Sequence, residues 1–141
     1  MKRYACIYVA TLLAFGAIDA VWLGLVAAPL YKQVLGPVML DQARVGVALV
    51  FYLLQIAGMM VFVVPRADRP QGLARVALFG ALYGFFTYST FDLTCYAVLR
   101  PWTLYLAWTD IAWGTVLSAL AAVLGVVGGS AMARVGRGRT G

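Results

Sequence analysis

The chain has 141 residues, 64% of them hydrophobic and only 11% charged; soluble domains run at about 45–50% apolar and about 25% charged, so a water-facing surface cannot be covered and lipid is the expected solvent. The formal net charge of +6 is carried by residues that flank apolar stretches, a pattern of membrane topology and contact with lipid headgroups, not of nucleic-acid binding. There is no His, and Glu and Asn are also missing, which removes the usual zinc, haem and di-iron ligand sets and any His-dependent catalytic unit, so neither metal nor cofactor is expected.

Lys2 and Arg3 open the chain ahead of an apolar run from about Tyr4 to Ala28. The run outlasts a signal-peptide core and ends without a clear A-x-A site, so it reads as an uncleaved signal-anchor helix, broken only by Asp19. The segment Pro29–Ala43 is expected to hold a short interfacial helix carrying Tyr31, Val34, Leu35, Val38 and Leu40. A second span runs from about Val45 to Val64, with Gln55 as its deep polar group. Val64–Gly72, with two prolines, two arginines and an aspartate, reads as a tight turn. A third span runs from about Leu73 to Tyr96 and contains Asp92. A short loop around Arg100-Pro101-Trp102 leads to a fourth span, from about Leu104 to Met132, containing Asp110. A basic tail, 136–141, closes the chain.

Unbroken apolar runs of about 20 residues predict helices, because barrel strands would be about ten residues long and alternating. The fold class is therefore all-α: a polytopic membrane protein, one domain over 1–135, with four transmembrane helices in a bundle. Lys2, Arg3, Arg66, Arg69, Arg75, Arg134, Arg137 and Arg139 fall on one side, and only Lys32, Arg44 and Arg100 on the other. The positive-inside rule then puts both termini in the cytoplasm. Cys6 and Cys95 fall toward opposite faces, beyond the ~7 Å reach of a disulfide, and read as free thiols.

Small residues recur four apart: Gly16, Ala20, Gly24 and Ala28 in the first span, Gly80 and Gly84 in the third, Ala121, Gly125 and Gly129 in the fourth. Such spacing lets helices approach closely in lipid, within one bundle or between copies. A loose repeat also relates the two halves, with Asp19 and Asp92 late in their spans and Pro29 and Pro101 following.

Three of the five acids lie inside spans. Each Asp at a helix centre costs about 2.5–3.5 kcal/mol to insert, and such residues face the bundle interior or a watery cavity. Asp19 lies ~22 Å from the cytoplasmic start of its helix and Asp110 ~9 Å from the outer end of its own. Asp92 is near the outer end of the third span, so all three share the outer half. Trp22 and Trp113 each follow an Asp by three residues and Tyr88 precedes Asp92 by four, so each shares a face with its acid. Asp19, Trp22, Tyr88, Asp92, Asp110 and Trp113 are the candidate ligand-binding residues. Trp102 and Tyr105 are assigned to an interfacial belt. Gln55, on one face with Tyr52 and Met59, is expected to bond across helices.

Three functions fit such a cluster. Aromatics and aspartates can enclose a small molecule or lipid with a cationic or hydroxylated group, for binding or transport. Paired aspartates can act as acid and base in a lipid-modifying enzyme. Alternatively, the carboxyls can be structural clamps in a subunit that organises a partner protein. The expected partners are membrane lipids, with a second copy or a membrane protein beside them.

The stretches Tyr88-Ser89-Thr90-Phe91-Asp92-Leu93-Thr94, Asp110-Ile111-Ala112-Trp113-Gly114 and Asp19-Ala20-Val21-Trp22-Leu23-Gly24, with Trp102, resemble the predicted bacterial membrane proteins of domain of unknown function family 2177. The resemblance covers nearly the whole chain. It implies a four-helix protein of the bacterial inner membrane and carries no activity with it. Where that family commonly has Asn after the Asp-Leu-Thr stretch, this chain has Cys95.

Overall fold

In lipid a helix must satisfy its own backbone, and the apolar runs fold into long helical stretches. The computed structural model describes residues 2–138. Helix α1 (Lys2–Trp22) passes through a π-helical turn, Leu23–Ala27, into α2 (Ala28–Leu35) and a short 3-10 turn, Gly36–Val38. Then follow α3 (Val45–Phe62), a 3-10 turn at Val64–Asp68, α4 (Gly72–Val98) and α5 (Leu104–Gly138). The stretches Lys2–Leu35, Val45–Asp68 and Leu104–Val135 are each long and apolar enough to cross a membrane. Helix α4 has the length, 27 residues, but carries Thr87-Tyr88-Ser89-Thr90 and Asp92 in its second half.

The first connection differs from the interfacial helix expected over Pro29–Ala43. The first helix runs on through Ala28 to Leu35, and α2 packs onto the bundle instead of lying beside it. Its Leu30, Tyr31, Val34 and Leu35 form a small core with Trp102, Leu106, Ala107 and Cys95. Val38 and Leu40 are exposed. Pro29 causes no break because it sits at the second position of α2 as α1 hands over, where the winding has already changed. Of the tail expected over 136–141, the backbone of 136–138 continues α5; 139–141 lie outside the described residues.

Helix α5 is the centre of the bundle, held between α1 and α4. Its buried residues form two adjacent stripes, Leu106, Asp110, Leu117, Ala121 and Gly125 beside Ala107, Ile111, Gly114, Ser118, Ala122, Val126 and Gly129, the wide face that a helix packed between two others buries. Helix α1 answers with a single buried stripe, Ile7, Thr11, Phe15 and Asp19. Side chains are nearly absent where the axes come closest. A Cβ on Gly84 would meet the Gly114 carbonyl and Ser118, one on Gly125 the Thr11 side chain, and one on Gly129 the backbone of Ile7. The small residues of α4 and α5 thus do what their spacing predicts. Those of α1 do not: Gly16 and Gly24 have nothing within 4 Å of a would-be Cβ, so that stripe faces away from the bundle.

Helix α3 is held differently. All seven residues from Val45 to Phe51 are exposed, and its buried residues, Gln55, Ile56 and Met59, belong to the other half. It leans on α1 and α4 only from Tyr52 onward. The two hairpins of the loose sequence repeat are therefore packed unlike one another, α4 tightly on α5 and α3 lightly on α1. At the other end of the bundle Arg3 joins three segments. Its Nη1 pairs with Asp68 at 2.8 Å and its Nε donates to Ser130 Oγ at 3.4 Å. The guanidinium of Arg66 lies 4.4 Å over the Phe79 ring.

A leucine at Gly84 has no room, and overpacking of this kind costs about 1–3 kcal/mol. Gly84→Leu is expected to lower the thermal midpoint of the purified protein in detergent, whereas Gly16→Leu leaves it unchanged. Circular dichroism melts of the two variants beside the wild type check this; equal loss in both would refute the packing described.

Candidate functional site

Asp19 sits at the end of the buried stripe of α1 and is 6% exposed. A carboxylate there needs donors, because an unpartnered charge away from water is expensive. Two helices supply them. The Tyr52 hydroxyl of α3 donates to Asp19 Oδ2 at 2.6 Å, and the Trp113 indole of α5 donates to Oδ1 at 3.0 Å. Trp113 is oriented further by Trp22, whose ring stacks on it at 4.4 Å between centroids and 8° between planes. Phe15 meets the edge of Tyr52 at 5.8 Å.

These residues form one wall of a cavity of ≈ 510 Å³, lined by Asp19, Trp22, Leu23, Tyr31, Phe51, Thr87, Tyr88, Phe91, Asp110 and Trp113. Small-molecule sites run at about 300–1,000 Å³ and are mostly apolar with a few placed polar groups, a description this cavity meets. The π-turn is what admits Tyr31. Asp19 and Tyr31 are twelve residues apart, which on an unbroken α-helix sets them about 120° apart around the axis. One extra residue in the winding turns the chain beyond it back by roughly 100°, and both then face the cavity.

Asp110, on the first turns of α5, is 9% exposed and opens onto the cavity. Its neighbour is the Tyr31 hydroxyl. A carboxylate offers about four acceptor positions, more than one hydroxyl can fill. Asp92 is placed behind the lining. It is completely buried, lies within the field of Asp110 and beside Trp102, and neither of its oxygens closes a hydrogen bond. Trp102 Nε1 is likewise buried and unbonded.

The structure thus brings Asp19, Trp22, Tyr88, Asp110 and Trp113 to one cavity and sets Asp92 just outside it. Tyr31, Phe51, Thr87 and Phe91 also line it but carried no distinguishing signal, and Tyr52, the closest partner of Asp19, was visible only as a neighbour of Gln55 on α3. Gln55 bonds across helices: its Nε2 donates to Thr87 Oγ1 at 3.4 Å, and the Tyr83 hydroxyl donates to its backbone carbonyl at 3.4 Å. Tyr105 is exposed, as the belt expectation requires, whereas Trp102 is not. That ring is 8% exposed, packed on Phe91 at 5.6 Å and Tyr31 at 6.4 Å, because α2 folds over it. Cys6 and Cys95 are both free. No group of three or more metal-ligating side chains occurs among the described residues.

Long apolar helices around a sparse, buried set of acids and aromatics define a multi-pass α-helical membrane protein. The chain belongs to the family described as Predicted membrane protein (DUF2177), whose model matches residues 4–127. No curated protein and no solved structure matches it.

The two bonds to Asp19 are testable one at a time. Hydrogen bonds between membrane helices contribute about 0.6–2 kcal/mol, and Tyr52→Phe and Trp113→Phe are each expected to destabilise by that much. In an Asp19→Leu background Tyr52→Phe should cost nothing further, and Trp113→Phe only the packing the smaller ring loses against Trp22. Unfolding titrations in mixed micelles measure all of these; additive losses would mean that the bonds do not form.

Proposed function

We propose that this is an inner-membrane protein of bacteria that crosses the bilayer four times, with both termini cytoplasmic, and binds a small molecule or lipid in a cavity in the outer half. The observation that carries the reading is the ≈ 510 Å³ cavity into which Asp110 opens, beside an Asp19 already held by two donors. A polar clamp at Asp19 alone would not call for a second buried acid on the same cavity.

Crossing by α4 is supported by how it hides its hydroxyls. Thr87, Thr90 and Thr94 each donate to the carbonyl four residues back, at 2.9, 2.7 and 2.6 Å. A hydroxyl bonded within its own helix is tolerated in lipid. The orientation rests on the charge bias: Arg3, Arg66, Arg69 and Arg75 belong to one end, while Tyr96, Tyr105 and Trp108 are exposed toward the other, as aromatic belts are. Helical spans suit an inner membrane, since outer membranes hold barrels.

Native mass spectrometry of the protein released from mild detergent tests the binding. A discrete bound mass is expected on the wild type and is expected to be lost from Asp110→Asn; no adduct on either form would remove the reading. The topology has its own test, in a background where Cys6 and Cys95 are replaced by Ser. A membrane-impermeant maleimide added to whole cells should label Asp41→Cys and leave Arg69→Cys unlabelled, and the reverse pattern would invert the orientation.

A further inference from the structure

The chemistry of the cavity narrows what it takes. Two carboxyls, Asp19 and Asp110, line it, and no Lys or Arg does. Asp92 lies outside the lining, buried and with neither oxygen hydrogen-bonded. The basic residues at this end, Lys32, Arg44 and Arg100, are all exposed and absent from the lining. An anionic head group would therefore meet two acids and no cation. A positive one would meet the carboxyl of Asp110 and a lining rich in aromatic rings, whose quadrupoles attract a cation.

The mouth of the cavity indicates the rest of the molecule. Leu23, Phe51 and Phe91 line it and are also exposed on the outside of the bundle. Phe51 is six residues into α3 and Phe91 seven from the end of α4, so each lies roughly 9–10 Å from its helix end at 1.5 Å per residue. The opening is thus lateral. The exposed run Val45–Phe51 leaves that side without a closing wall. At this depth the surroundings are acyl chains, and the rim is apolar.

We infer that the ligand is a cationic amphiphile, an ammonium head seated at Asp110 among the rings of Trp22, Tyr31, Tyr88 and Trp113, with its apolar tail leaving sideways past Phe51 and Phe91 into the lipid. The inference rests on the reading of the cavity as a binding site. It assigns separate tasks to the two acids of the lining: Asp19 holds the wall and Asp110 receives the charge.

A matched series separates this from the broader reading. Decylammonium, decanol and decyl sulfate share a tail and differ in head charge, and each is titrated onto the full-length protein in an uncharged maltoside detergent. The bound fraction is read by native mass spectrometry, with quenching of tryptophan fluorescence by brominated analogues as a second readout. The wild type should bind decylammonium about ten-fold more tightly than decanol, the effect of an ion pair with cation–π contact, and should not take up decyl sulfate. Asp110→Asn should bring decylammonium and decanol to within about two-fold of each other, while decanol still binds. Equal binding of cation and alcohol by the wild type, or a preference surviving in Asp110→Asn, would overturn the charge assignment and leave the cavity standing as a site. Failure of all three to bind would remove the site itself. The wild-type comparison decides the matter alone if Asp110→Asn does not fold.

Discussion

The carboxylate of Asp19 is the joint on which the arrangement depends. It accepts from Tyr52 on α3 and Trp113 on α5, so three helices meet at one side chain. In water such bonds would trade almost evenly with solvent, but in lipid no solvent is there to take them. Helix α3 feels this most. Its first seven residues are all exposed, and Tyr52, which follows them, carries the bond to Asp19 on α1. The carboxylate both justifies its own burial and sets how closely α3 can stand.

The cavity follows from that constraint together with the close packing elsewhere. Glycines let α5 lie against α1 and α4 with almost nothing between the axes. Helix α3 has no comparable stripe facing the bundle and is held at a distance by a tyrosine. The space left between a tight three-helix layer and a propped fourth helix is the ≈ 510 Å³ cavity. Helix α2 closes its end, and the π-turn that precedes α2 turns Tyr31 inward. A π-turn is an uncommon winding that recurs at functional positions, and here it has a direct geometric result.

Much of this was legible in the sequence. The four helices follow from long apolar runs, and the acids announce themselves through the expense of putting Asp in a span. Counting residues along antiparallel helices was enough to bring Asp19 and Asp110 to one depth. The partners of those acids were harder to see. Tyr52 shares its face with Gln55, and nothing in the one-dimensional pattern says that α1 and α3 meet there. Tyr31 was out of reach because its facing depends on one extra residue in the winding, which no residue type marks. Trp102 looked like an interfacial ring because proline and arginine precede it; only the fold of α2 over it takes it from the surface. The four-residue spacing of Gly16 and Gly24 matched that of Gly80 and Gly84, yet only the second pair meets another helix. Spacing shows that a close approach is permitted, and neighbours decide whether it occurs.

The indole proton of Trp113 reports on the central joint directly. The chain has four tryptophans, so a spectrum of the protein labelled with nitrogen-15 in its indole rings has four signals to assign. If the Trp113 indole donates to Asp19, its proton exchanges slowly with deuterium, and Asp19→Leu makes it exchange as fast as that of the exposed Trp108. Exchange at the Trp108 rate in the wild type, or slow exchange that persists in Asp19→Leu, would contradict the account.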